Sequence, residues 1–179
     1  MICAKAYLMS SRSVTFPLVL VNLKAYTEAI GSKAEELART AAKVMADTGV
    51  CIGLAPQYTE IRQLSRFEIP VFSQHIDPIQ PGSFTGHVLP EAIAAAGAVG
   101  TILNHSEQQL RLSDIELSVE RAKSAGLTSV VCANSTKVGV SAASLGPEMV
   151  AIEPPELIGS GIAVSKAKPE IVSDSVEAL

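Results

Sequence analysis

The chain has 179 residues, 47% of them apolar and 4% aromatic, with no Trp and a formal net charge of −4. That length suits one domain with an aliphatic core. The acidic balance argues against nucleic acid or an acidic membrane as partner, though not against a small phosphorylated ligand held by a few local donors.

Residues 1–16 show no periodicity and read as an N-terminal extension, disordered, with Met9 an alternative start to Met1. From Pro17 to Lys24 an apolar run reads as a strand buried on both faces, ending in Asn22 and Lys24. Ser32 and Glu35 have capping-box spacing. The helix after them puts Leu37, Ala41, Val44 and Met45 on one face, and Gly49 stops it. Val50 to Ala55 is a second strand, followed by a short helix from about Gln57 to Arg66. Val71 to Gln74 is a third strand, and a long loop runs from Asp77 to Gly86. Pro90 to Ala96 is a helix ended by Gly97. Thr101 to Asn104 is a fourth strand, followed at once by His105-Ser106-Glu107. Ser113 and Glu116 form a second capping box, opening a helix that Gly126 stops. Ser129 to Ala133 is a fifth strand, and a weakly patterned segment follows. Met149 to Ile152 is a sixth strand running into Glu153. Val164 extends briefly, and Pro169 opens a last helix toward Leu179.

Cys3, Cys51 and Cys132 lie far apart with no C-x-x-C pair, so neither zinc nor redox chemistry is suggested. The apolar runs around Cys51 and Cys132 predict buried thiols in a reduced, cytoplasmic protein. No apolar run reaches the ~18 residues of a membrane span, and Met1 to Met9 is too short and mixed for a signal peptide.

Short apolar strands alternating with helices predict repeated β-α units and a parallel sheet. No G-x-G-x-x-G follows the first strand, so the usual dinucleotide fingerprint is missing. Asn22 and Lys24, His105, and Glu153 instead sit at the C-terminal ends of different strands, the arrangement of a β/α barrel site. Alone, Lys24 also fits a solvated strand end and His105 a capping or core histidine. His75 and His87 are read that way. Three chemical types at three strand ends weaken the ordinary reading. Around Glu153 the chain is stiffened by Pro154 and Pro155, which fix φ and remove donors. Gly159-Ser160-Gly161 then lets backbone approach a ligand. A carboxylate with a stiff entry and a glycine exit is the layout of a lid that carries its base with it.

The segments VLVNLKAY, APQYTEI, SQHIDPIQPGSFTGHVLPE, LNHSE, AIEPPELIGSG and VSKAKPE resemble the triosephosphate isomerase family in its shorter archaeal form, in unbroken order over about 17–179. The resemblance implies a TIM barrel without metal or cofactor. It also implies interconversion of dihydroxyacetone phosphate and glyceraldehyde 3-phosphate, a step of glycolysis and gluconeogenesis, through an enediolate. Glu153 is then the base, His105 a neutral electrophile whose substrate-facing nitrogen stays unprotonated, and Lys24 the stabiliser of negative charge. Asn22, Leu23 and Lys24 are expected at the substrate, and the backbone of Ile158 and Gly159 at its phosphate. Glu107 matches a family carboxylate near the site and is left outside the catalytic set. The resemblance further implies a homo-oligomer, a tetramer before a dimer.

The family barrel has eight strands; six are counted, and the glycine-rich seventh and eighth strand ends are missing. A partial barrel over 17–179 is therefore expected, with open edges that favour aggregation and leave little activity. Another sugar-phosphate barrel enzyme and an inactive fragment that only self-assembles are the other two readings.

Overall fold

The structure, a computed structural model, describes residues 13–158 and 161–178. The apolar runs become strands β1 (Leu18–Asn22), β2 (Cys51–Ala55), β3 (Phe72–Ser73), β4 (Gly100–Leu103), β5 (Thr128–Ala133) and β6 (Met149–Ile152). Between them run helices α1 (Ser32–Thr48), α2 (Tyr58–Leu64), α3 (Pro90–Ala96), α4 (Leu112–Ser124) and α5 (Thr136–Ala143), and α6 (Val164–Ala167) and α7 (Pro169–Ala178) follow β6. Every strand pairing is parallel, which requires a crossover between partners, and each crossover carries a helix. The β1-β2 ladder meets the β3-β4-β5-β6 ladder at Leu54, which bridges to Val71 and donates its N–H to the Pro70 carbonyl at 3.0 Å. The strands thus follow one another in sequence order, as in a barrel wall. Among the described residues, no strand pairs with the outer edge of β1 or of β6.

Alternation along the strands makes two layers. Inward side chains, among them Leu20, Ala55, Phe72, Ile102, Val130 and Cys132, form the barrel interior. Outward ones such as Leu54, Val71, Leu103 and Val131 meet the helices. Phe72 is fully buried, a burial worth about 1.5–3 kcal/mol. It fits because two neighbouring strands carry glycine. A Cβ at Gly100 would sit 2.3 Å from the Phe72 ring and 2.6 Å from the Thr128 carbonyl oxygen, and one at Gly53 3.3 Å from the ring. An alanine at Gly100 would push the ring out of its place.

Several local expectations are corrected. β1 is not buried on both faces: its outward residues Val19 and Val21 are 50% and 39% exposed, because no described helix covers them. α1 buries Ala34, Ala38 and Ala41, which share a face at helical spacing, while Leu37 and Val44 stay exposed. Small residues bring this helix against its neighbours. Neither capping box forms. Gly31 and Arg111 occupy the N-cap positions, so Ser32 and Ser113 lie inside their helices, where Oγ cannot reach the next turn's N–H. The weakly patterned segment is α5, capped by Ser135 Oγ, which accepts from the Val138 N–H at 3.4 Å. Its signal is hidden because it buries only Gly139 and Ala142. Val164 begins a helix instead of extending a strand, the N–H groups of Lys166 and Ala167 both donating to the Ala163 carbonyl.

Candidate active site

The polar strand ends gather at one mouth of the partial barrel. After β1 the chain turns sharply at Lys24, whose φ is 50° and whose N–H donates to Asn22 Oδ1 at 3.0 Å. Lys24 Nζ reaches Glu107 Oε1 at 2.9 Å, across 83 residues of sequence. The hydrogen bond to Glu107 raises the Lys24 ammonium above its ordinary value, outweighing the opposing effect of burial. The two side chains are 26% and 57% exposed. Such a pair contributes on the order of 0–1 kcal/mol, so it orients the ammonium more than it stabilises the fold.

After β4, Asn104 takes φ 57°. Its Oδ1 accepts from the Leu110 N–H at 2.8 Å and its Nδ2 donates to the Cys132 carbonyl at 2.9 Å. This ties the β4 end to β5 and to the following loop, and so fixes the root of His105. The His105 side chain is 12% exposed, with Nε2 3.5 Å from Glu153 Oε1. Its Nδ1 lies 3.2 Å from the Glu107 N–H and 3.5 Å from Glu107 Oε2. The N–H contact is the shorter and the directional one, and a backbone N–H only donates. Nδ1 is therefore the bare nitrogen and the proton sits on Nε2, facing Glu153.

β6 delivers Glu153, whose N–H continues the ladder to the Ala133 carbonyl at 2.7 Å. Its side chain is 28% exposed. Glu153 Oε2 is buried without a hydrogen-bond partner, as is Ser106 Oγ. The Cys132 thiol beside it is pushed well up, first by burial and then by the Glu153 carboxylate. Glu153 stands between two cavities of about 370 and 360 Å³. The first also takes in Asn22 and His105 above an apolar floor of Leu20, Ile102 and Val130.

Asn22, Lys24, His105 and Glu153 are thus brought together. Leu23 is not: it packs in the outer core, and its N–H is spent on the Ala55 carbonyl at 3.0 Å. One position along a strand reverses the side chain, so the neighbour of two inward residues points outward. Past Glu153, Pro155–Leu157 form a 3-10 turn, and the Ile158 N–H donates to the Pro155 carbonyl at 3.3 Å. Gly159 lies outside the described residues. Glu107, left outside the catalytic set by sequence, holds Lys24 and supports His105; its spacing two residues after His105 was the available signal. His75 is buried against Asp77, with Nε2 3.3 Å from Oδ1. The His87 and Phe84 rings meet edge to face. Among the described residues no group of three His, Cys, Asp or Glu side chains is arranged to hold a metal ion. No helix there is long and apolar enough to cross a membrane.

A base, an N–H donor and an ammonium around one cleft can take a proton from carbon and stabilise the oxyanion that results. Comparison with known proteins agrees. The family model for triosephosphate isomerase matches residues 17–179. The chain is 52% identical over 164 residues to the triosephosphate isomerase of Methanoculleus marisnigri, covering 91% of this chain and 74% of that one. It is 47% identical over 163 residues to that of Methanocaldococcus jannaschii, covering 90% and 74%. A crystal structure of triosephosphate isomerase from Bartonella henselae has the same fold, with a TM-score of 0.58 at 18% identity, covering 90% of this chain and 60% of that one. The chain belongs to the triosephosphate isomerase family.

Proposed function

We propose that this chain interconverts dihydroxyacetone phosphate and glyceraldehyde 3-phosphate by proton transfer. The observation that carries the reading is the approach of His105 Nε2 to Glu153 Oε1, at 3.5 Å, with the Lys24 ammonium near enough to feel the Glu153 charge. Glu153 takes the proton from the carbon beside the carbonyl. The bond electrons pass to the carbonyl oxygen, making an enediolate; the hydroxyl proton of the other oxygen passes to this one by way of His105 Nε2, and the proton held by Glu153 returns to the neighbouring carbon. His105 donates its Nε2–H to the oxygen that gains charge, and Lys24 balances the added negative charge beside the phosphate. An oxyanion donor of this kind is worth about 10²–10³ in rate. Asn22 helps orient the substrate. The segment after Glu153 acts as a lid, with the Ile158 and Gly159 backbone on the phosphate, which keeps the reactive enediolate from water. The protein works in the cytoplasm as a homo-oligomer, a tetramer before a dimer.

The test is turnover of either triose phosphate in a coupled assay, repeated in deuterium oxide. Deuterium should appear on the carbon that receives the proton, because a protonated carboxylate exchanges with solvent. Deuterium there excludes a hydride shift; turnover that survives Glu153→Gln would remove Glu153 as base. Absence of turnover by folded protein would overturn the reading.

A further inference from the structure

Two glutamines that the reaction does not use share one target. Gln57 lies between Pro56 and α2, and Gln74 directly follows β3. Gln57 Nε2 donates to the Lys24 carbonyl at 2.9 Å and to Gln74 Oε1 at 3.1 Å. Gln74 Nε2 donates to the same Lys24 carbonyl at 2.9 Å and to the Ala55 carbonyl at 3.0 Å. Each amide has two N–H bonds, and all of them are spent on acceptors. Carbonyl oxygens only accept, so this orientation is forced; turning the Gln74 amide would set oxygen against two oxygens. Both side chains are half-buried.

What they hold is unusual. Among the described residues only Lys24 and Asn104 take positive φ without being glycine. A lysine stays in that region only when its surroundings over-determine it. Here the Lys24 N–H is tied to Asn22 and its carbonyl to both glutamines, so the peptide groups on either side are clamped. The side chain leaves from the Cα between those clamps, and its Nζ ends on Glu107. Releasing the carbonyl lets φ relax toward the β region. The Cα–Cβ bond then swings and carries the ammonium away from Glu107 and the cleft.

We propose that Gln57 and Gln74 are positioning residues that clamp the Lys24 carbonyl and so aim the Lys24 ammonium into the active site. The aim matters for catalysis only if the triose-phosphate reading holds, but the clamp can be measured without it. Glutamate would not serve at either place, because a carboxylate has no N–H to offer the Lys24 carbonyl.

The experiment is an alkaline titration of the chain labelled with carbon-13 at lysine Cε, the Lys24 signal being assigned by its loss in Lys24→Arg. The Lys24 signal should titrate above the ordinary lysine range, since the Glu107 carboxylate favours the ammonium. Glu107→Gln should lower that titration directly. Gln74→Met should lower it as well, leaving Glu107 in place and the other lysines unmoved, which a loss of packing alone would not do. Gln57→Ala removes one of two donors and should give a smaller downward shift; it keeps the test decisive should Gln74→Met not fold. Unchanged titration of Lys24 in a folded Gln74→Met or Gln57→Ala chain overturns the proposal. Turnover is the separate readout, with KM expected to rise several-fold and kcat to change less. A shifted Lys24 in a chain that never isomerises triose phosphate would remove the proposed function and leave the clamp standing.

Discussion

Replacing Glu153 by glutamine should separate activity from stability. The change keeps the side chain's length and exchanges one oxygen for an amide nitrogen. A positioned base contributes about 10²–10⁴ in rate. An amide cannot take the proton, so turnover should fall about 10²–10⁴-fold, or about 3–5 kcal/mol at 1.36 kcal/mol per decade. The effect on folding has two parts. Glu153 Oε2 is buried without a partner, and an unsatisfied group of this kind costs on the order of 1–3 kcal/mol. Part of that is discounted because 28% of the side chain is exposed, and the new amide brings N–H bonds that need acceptors. The net change should stay within about 1 kcal/mol, which moves the melting midpoint by about 2–4 °C. The checks are a coupled isomerase assay at saturating substrate and a thermal melt followed by circular dichroism. Turnover reduced less than tenfold would rule out Glu153 as the base. Lost turnover with a melt lowered by more than about 10 °C would mean that the residue acts through the fold.

His105→Ala should lower turnover by about 10²–10³ and change KM much less; a variant that weakens binding alone would move His105 from the chemistry to substrate positioning. Glu148 supplies a pH test. Burial opposes its ionisation, but the Ser129 N–H and Oγ, both at 2.7 Å, outweigh burial and hold the carboxyl below its ordinary value of 4.5. Because the folded value is the lower one, the stabilisation is complete above the ordinary value and is lost as pH falls through the folded value. Glu148→Gln should therefore flatten the acid limb of a stability-pH curve below about pH 4.5; an acid limb as steep as wild type would refute this. A polypeptide of residues 1–179 should self-associate, since β1 and β6 are apolar edges without described partners and such edges pair with other chains. Size-exclusion with light scattering would show it; a monodisperse monomer that melts cooperatively would refute it.

Six strands, the glycines and prolines that bound the helices, and the polar residues at strand ends were all legible in sequence. The reason is local: dihedral limits at Gly and Pro and the two-residue alternation of a strand act within a few positions. β6 and α3 occupy the predicted residues, Met149–Ile152 and Pro90–Ala96. Local pattern did not show which side of α1 is buried, because alanines, and not Leu37 or Val44, meet its neighbours. It also missed α5, whose buried residues are Gly139 and Ala142. The partners of Lys24 were out of reach as well. Glu107, Gln57 and Gln74 lie 83, 33 and 50 residues away along the chain. Only the curling of parallel strands into a barrel wall brings the loops after β1, β2, β3 and β4 to one mouth. The sequence thus named the chemical groups, and the tertiary structure decided which groups hold which, because a side chain's partners depend on sheet curvature and strand register.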